Sequence, residues 1–295
     1  MSAALAVLDI GSNSVRYAPM VRSEEGAFFV PGRKELCTTR LGKGLDETGR
    51  LSKEAMAATI EACVRFCQKA KAANLPAYAY ATSAVRDARN RQLFLDDLKA
   101  ACPALAVFLL SGEEEGRLAY LGAMDGMAGT LLDIGGGSAQ VVTPQWAVSF
   151  PTGCVRAKDA CPEQSLPALR DAVYTWLRGR ISLPGAGAAP FYGVGGTITT
   201  LGALLLGQGQ YDGSALSALR ITPALLDALL RQLSDMGDEA RAKLPLLVRR
   251  HDAILQGGLI LSWFMENLTI TALTPTDRGG MEGFAALLEE KGILY

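Results

Sequence analysis

The spacing of hydrophobic residues changes several times along the chain. Residues 5–32 carry short apolar or alternating runs, "LAVLDI", "VRYAPMV" and "AFFVPG", with "RSEEG" as a turn, and these predict strands. "TTRLGKGLDETGRLS" is too rich in glycine and polar residues to hold either period and reads as a connector. From about Lys53 to Ala72 the apolar positions recur at helical spacing. "AYAYATSAVRDARNRQLFLDDLKAA" predicts a strand, a turn and a helix, and "ALAVFLLSG" then "EEEGRLAYLGAM" a strand and a helix. The pattern then restarts. "GTLLDIGGGSAQVVTPQWAVSF" is strand, turn and strand, a helix is expected over about 166–178, and "FYGVGGTITTLGALLLG" is strand, glycine turn and helix. Further helices are expected near 223–236, near 251–267 and after "TDRGG", with "LPGAGAAP" as a surface loop. Strands alternating with helices imply an α/β chain with mostly parallel sheets.

The restart is a repeat. "VLDIGSNSVRYA" at 7–18 and "LLDIGGGSAQVV" at 131–142 share a strand, an aspartate, a glycine turn and a second strand. A chain of 295 residues suits two domains. The small residues of "AMDGMAG" mark the boundary, giving domains 1–124 and 125–295. A tight turn between strands exposes successive backbone N–H groups, and glycine lets a phosphate approach them. Gly11, Ser12, Asn13 and Ser14 in one turn, and Gly135, Gly136, Gly137 and Ser138 in the other, are therefore candidate phosphate contacts. Two such turns facing each other across a cleft would hold a phosphate chain. Asp9 and Asp133 would bind Mg²⁺, directly or through water. "GVGGT" would bring a helix N-terminus, with Gly195, Gly196 and Thr197, to the same ligand. No G-x-x-x-x-G-K-[ST] occurs, so this is not a Walker-type site.

Composition narrows the function. The formal net charge is −1, against the bulk basic surface of a sequence-independent nucleic-acid binder, so no nucleic-acid partner is expected. No apolar run approaches about 18 residues, and "AILQGGLILSWFM" reads as a buried helix, so no membrane partner is expected. The first residues lack a basic stretch ahead of the apolar one, which argues against a signal peptide and for a cytoplasmic location. The six cysteines form no C-x-x-C, and Cys63 and Cys67, a helical turn apart, read as core. His251 is the one histidine, too few for an His-Asp metal phosphohydrolase, and reads as structural.

Two charged stretches remain. In "SGEEEGRL", Ser111 and Glu114 make a capping box and Glu113 suits the positive end of the helix dipole. Glu115 is left over. Its helical neighbours Ala119 and Gly122 form a low-relief face along which a carboxylate would reach a cleft. "ATSAVRDARNR" presents Arg86, Arg89 and Arg91 where a helix start disfavours cations, so Arg86 is assigned to phosphate. Arg16 is a second candidate and "RLGKGL" a third.

Taken together, "DIGSNSVR", "TRLGKGL", "ATSAVRDARN", "SGEEEGRLAYLG", "DIGGGS", "GCVR", "GVGGT" and "TDRGGMEG", in this order along the whole chain, resemble the exopolyphosphatase and guanosine pentaphosphate phosphatase family of the actin-like ATPase superfamily. The resemblance implies two ribonuclease H-like domains around a central cleft, in the short form without extra C-terminal helical domains. It implies a last helix, about 280–292, that packs back on the first domain, and a possible homodimer. It further implies Mg²⁺-dependent removal of terminal phosphate from polyphosphate or guanosine pentaphosphate, with Glu115 as the catalytic glutamate that deprotonates water. Two positions depart from the family's pattern. Gln140 stands where "DIGGGSTE" has a glutamate near metal and water, and an amide cannot act as a base. Met281 stands where "GLREG" has an arginine. These departures keep two other functions in view: a sensor that binds a phosphorylated nucleotide or polyphosphate with little turnover, and an ATP-dependent kinase or activator of the same superfamily.

Overall fold

The computed structural model describes residues 4–162 and 164–294. They fall into two compact units, Met1–Gly126 with Arg278–Tyr295, and Met127–Asp277.

The first unit opens with β1 (Ala4–Ile10), β2 (Ser14–Arg22), β3 (Phe28–Phe29) and β4 (Glu35–Thr38). After α1 (Leu45–Thr48) and α2 (Lys53–Ala72) come β5 (Ala77–Ala81), α3 (Ser83–Asp87), α4 (Arg91–Ala101), β6 (Ala106–Leu109) and α5 (Gly112–Met124). The sheet order is β3-β2-β1-β5-β6, with β4 also paired to β2. β1 and β2 are an antiparallel hairpin, while β1–β5 and β5–β6 run parallel. "ALAVLDI" is apolar on both faces because both are covered. Ala6, Leu8 and Ile10 join Phe66 of α2 and Phe94 of α4 in one core, and Leu5 and Val7 enter another. α2 starts at Ser52, whose Oγ accepts from the Ala55 N–H at 3.1 Å.

The second unit repeats this plan. It contains β7 (Thr130–Ile134), β8 (Ala139–Val142), β9 (Ala147–Phe150), α6 (Cys154–Ala160), α7 (Leu166–Arg178), β10 (Phe191–Val194), α8 (Gly195–Leu205), α9 (Pro223–Met236), α10 (Asp238–Arg241), α11 (Ile254–Asn267) and β11 (Leu273–Pro275). The order is β11-β10-β7-β8-β9: three antiparallel strands, then two that add in parallel to the first of them. Both sheets thus have the ribonuclease H-like strand order, and both are mixed rather than mostly parallel. The expectation of mostly parallel sheets overlooked that the glycine turn itself makes an antiparallel hairpin. α11 is "ILQGGLILSWFMEN", almost wholly buried, and its Trp263 and Phe264 centre the core of this unit.

The chain then returns to the first unit as α12 (Gly280–Glu290). Phe284 lies fully buried, its ring 5.0 Å from that of Tyr80 and 5.5 Å from that of Phe108. α12 crosses α5 so closely that a Cβ on Gly122 would overlap the Gly279 backbone, and one on Gly283 the Leu118 carbonyl. This corrects the expected use of the Ala119–Gly122 face. Its low relief seats α12 and is not an open path for a carboxylate.

Candidate active site

The repeated turns close in the same way. Gly11 N–H donates to the Ser14 carbonyl at 3.1 Å, and Gly135 N–H to that of Ser138 at 3.0 Å. Across each hairpin the aspartate faces the residue that ends the motif: Asp9 opposite Arg16, and Asp133 opposite Gln140. A following segment braces each turn from behind. The Asn13 carbonyl accepts from Thr39 and Arg40 N–H at 3.1 and 2.9 Å, and that of Ser12 from Gly42 at 2.8 Å. The Gly135 and Gly136 carbonyls accept from Cys154 and Val155 at 3.0 and 2.8 Å. With the carbonyls held, the turns present N–H groups. Among the described residues those of Asn13, Gly136 and Gly137 show no backbone partner. Such an array attracts anions.

The serines are less available than expected. Ser12 Oγ lies 2.8 Å from Ser83 Oγ, both buried, and Ser14 Oγ is buried with no partner among the described residues. Ser138 Oγ accepts from Gln140 Nε2 at 3.0 Å. Gln140 is 1% exposed, and its Nε2 also donates to Ser149 Oγ at 3.2 Å, while its Oε1 has no partner among the described residues.

Asp9 carries an ion pair with Arg16 at 3.7 Å, so Arg16 is committed to the aspartate in this structure. Burial raises the Asp9 pKa, opposed chiefly by the Arg16 charge. In the second unit Gly195 (φ +87°) opens α8 and backs directly onto the Asp133 carboxylate, where any side chain would collide. Gly196 lies against the Arg250 guanidinium. Thr197 is buried and hydrogen-bonded with Cys154, which also feels the Arg250 charge.

Glu115 and Arg86 meet. Arg86 Nη1 is 3.2 Å from Glu115 Oε2 and donates to the Leu110 carbonyl at 3.1 Å, while its Nε donates to Asp87 at 3.2 Å. Both side chains keep partial exposure, 21% and 16%. Arg86 does not stand at the helix start expected from the sequence. Arg86 ends α3, where a cation suits the dipole, and only Arg91 starts a helix. The capping box of Ser111 and Glu114 is present, with Glu114 Oε2 accepting from Ser111 N–H at 2.8 Å.

Sequence reasoning missed Tyr80, Lys34 and Arg250. Arg250 was overshadowed by its neighbour His251, which pairs with Asp238 Oδ1 at 2.7 Å in a structural contact. Tyr80 is the parallel-strand neighbour of Asp9, a register that the sequence alone does not fix.

No group of three or more His, Cys, Asp or Glu among the described residues can hold a metal ion. The fit is therefore to a cation that needs few protein ligands. Mg²⁺ is such an ion, usually held by one or two carboxylates together with substrate phosphates and water. Asp9 and Asp133 are each a carboxylate of that kind beside an anion-attracting turn of their own unit.

A model of the Ppx/GppA phosphatase family matches residues 20–291. The chain belongs to this family. It is 31% identical to Exopolyphosphatase 2 of Mycobacterium tuberculosis over 96% of its own length and 98% of that protein's. The solved Ppx/GppA family member from Aquifex aeolicus superposes with a TM-score of 0.78 at 26% identity, covering 98% of this chain and 99% of the other. An exopolyphosphatase structure from Cytophaga hutchinsonii reaches a TM-score of 0.85 at 19% identity, covering 97% and 98%, which speaks to the fold alone. As a family member the protein is a phosphatase. No helix among its described residues is long and apolar enough to cross a membrane.

Proposed function

We propose that this protein is a Mg²⁺-dependent phosphohydrolase that removes the terminal phosphate of inorganic polyphosphate, with guanosine pentaphosphate as a further substrate. The pairing of Glu115 with Arg86 carries this reading. A phosphate that engages Arg86 competes with Glu115 for the same guanidinium and leaves the carboxylate to accept a proton from water. The water oxygen then bonds to the terminal phosphorus. The bridging P–O bond breaks, its electron pair leaves with the shortened chain, and orthophosphate is released. The turn N–H groups at Asn13, Gly136 and Gly137, the start of α8 and Arg250 bind phosphate oxygens. Asp9 and Asp133 would each offer a carboxylate to Mg²⁺, which when bound would supply charge neutralisation to the phosphates. The family, and relatives that bear the name exopolyphosphatase, support this choice of substrate.

One observation favours a second reading. Gln140, in a position facing Asp133, is a buried amide with an unpartnered oxygen. That suits a sensor which binds its ligand and turns it over slowly. Phosphate release from polyphosphate and from guanosine pentaphosphate, side by side and with and without EDTA, tests both. Mg²⁺-dependent release is expected. Tight binding without release would establish the sensor, and full activity in EDTA would remove Asp9 and Asp133 from metal binding.

A further inference from the structure

Residues 242–253, between α10 and α11 in the second unit, form neither helix nor strand. The segment nevertheless delivers two charged side chains to the surroundings of the second glycine turn. Arg250 lies at the start of α8, where a Cβ on Gly196 would sit 2.4 Å from its Nη1. Asp252 pairs with Lys158 of α6 at 2.5 Å, and the first N–H groups of α6, those of Cys154 and Val155, hold the carbonyls of the turn. A loop that presents a phosphate-binding side chain needs a rigid support.

That support is a buried arginine. Arg241 is 0% exposed, and each of its three guanidinium nitrogens has an acceptor. Nη1 donates to the Leu233 carbonyl of α9 at 2.8 Å, Nη2 to Asp238 Oδ1 at 3.4 Å, and Nε to the His251 carbonyl at 3.4 Å. The same Asp238 oxygen meets the His251 ring at 2.7 Å. That carboxylate only accepts, so Nδ1 of the ring carries the proton. His251 is thus gripped at its backbone and at its ring, and it is the residue next to Arg250. From the other side, the carbonyl of buried Leu247 accepts from Arg250 N–H at 2.8 Å and from His251 N–H at 2.7 Å. Burying a guanidinium costs more desolvation than an apolar side chain of like volume would, so packing alone does not account for Arg241.

We infer that His251, clamped by Asp238 and Arg241, is a positioning residue that aims the Arg250 guanidinium at a phosphate oxygen beside Gly196. This rests on the proposed phosphate role of Arg250. In this role His251 does not touch the phosphate. It fixes the backbone that carries Arg250 before the ligand arrives, so less freedom is lost on binding.

The test measures imidotriphosphate binding with Mg²⁺ by titration calorimetry, well below the melting temperature, in wild type, Arg250→Ala, His251→Leu, the double variant and His251→Asn. Arg250→Ala should weaken binding about tenfold or more, through loss of a charged hydrogen bond. His251→Leu should weaken it about threefold to tenfold. It should add nothing in the double variant, because with the guanidinium gone its aim no longer matters. His251→Asn puts an amide donor near the place of Nδ1 and should recover most of the loss. A merely structural histidine would lower the melting temperature and leave the affinity of the folded protein alone. His251→Leu affinity within about twofold of wild type, or the same loss with and without Arg250, would overturn the inference while the phosphate role of Arg250 stands. Wild-type affinity in Arg250→Ala, or no binding by wild type, would remove both. If His251→Leu does not fold, Asp238→Ala, at a half-exposed side chain, decides, and wild-type affinity in that variant overturns the inference.

Discussion

Glu113, Glu114 and Glu115 are consecutive, and the helix gives each a different environment. Glu114 caps α5, Glu113 points outward in the first turn, and Glu115 is partly buried against Arg86. Glu115→Gln should therefore lower phosphate release by about 10²–10⁴-fold, the usual contribution of a general base, with substrate binding retained. Glu113→Gln should stay near wild type. Steady-state rates for the two variants check this, and a Glu115→Gln rate within about threefold of wild type would end the assignment. Gln140 poses the converse question. Its Nε2 is bound by Ser138 and Ser149 hydroxyls, which can reverse and donate to a carboxylate. Gln140→Glu is thus accommodated by hydrogen bonding, but a second carboxylate opposite Asp133 repels it until a cation is present. The expected outcome is a faster enzyme or one that needs less Mg²⁺, seen by titrating Mg²⁺ against phosphate release. A folded variant slower at every Mg²⁺ concentration would mean that the site is built around the amide.

At the scale of elements, the long helices were legible because their apolar period is set locally. α2, α7 and α9 fall where spacing put them, and "AILQGGLILSWFM" is the buried helix its composition implied. β4, α6 and β11 were not legible. They are short, and they exist through partners distant in sequence: β4 through β2, β11 through β10, and α6 through its N–H contacts with the second glycine turn. The Ala119–Gly122 face was misread for the same reason, since small residues on one helix cannot reveal that another helix covers them. That crossing makes a prediction. Gly122→Ala places a methyl inside the Gly279 backbone, so α5 and α12 must separate. Overpacking of this kind costs about 1–3 kcal/mol and occasionally more. A fall of several degrees in melting temperature is expected from calorimetry. Gly32→Ala, where a Cβ meets nothing within 4 Å, is the matched control and should melt as wild type.

For the whole molecule, chain order and structural order differ. The repeat was visible because the strand–aspartate–glycine signature occurs twice, but a repeat says nothing of where the last segment belongs. A resemblance supplied that expectation, and the residues supply its physical reason. Met281, Phe284, Ala285 and Leu288 of α12 are buried with Leu5, Val7, Met20 and Tyr80 of the first unit's sheet. Met281 therefore has a packing role, and a charged arginine at its position would need a different local arrangement. The second unit, 127–277, is continuous and has its own core around Trp263 and Phe264. The two units should respond differently to loss of residues 278–295. Deleting single large apolar side chains from a core costs about 2–5 kcal/mol each, so losing three at once is comparable to the roughly 5–15 kcal/mol that stabilises a typical domain. The first unit should then lose its cooperative fold, with the face of β1 and β5 uncovered, while the second keeps its own. Hydrogen exchange resolved by segment reads the difference directly. In the truncated chain, protection at Leu5–Ile10 and Ala77–Ala81 should collapse, and that at Thr130–Ile134 and Phe191–Val194 should persist. Retained protection in β1 would show that α12 is an appendage to a sheet already stable without it.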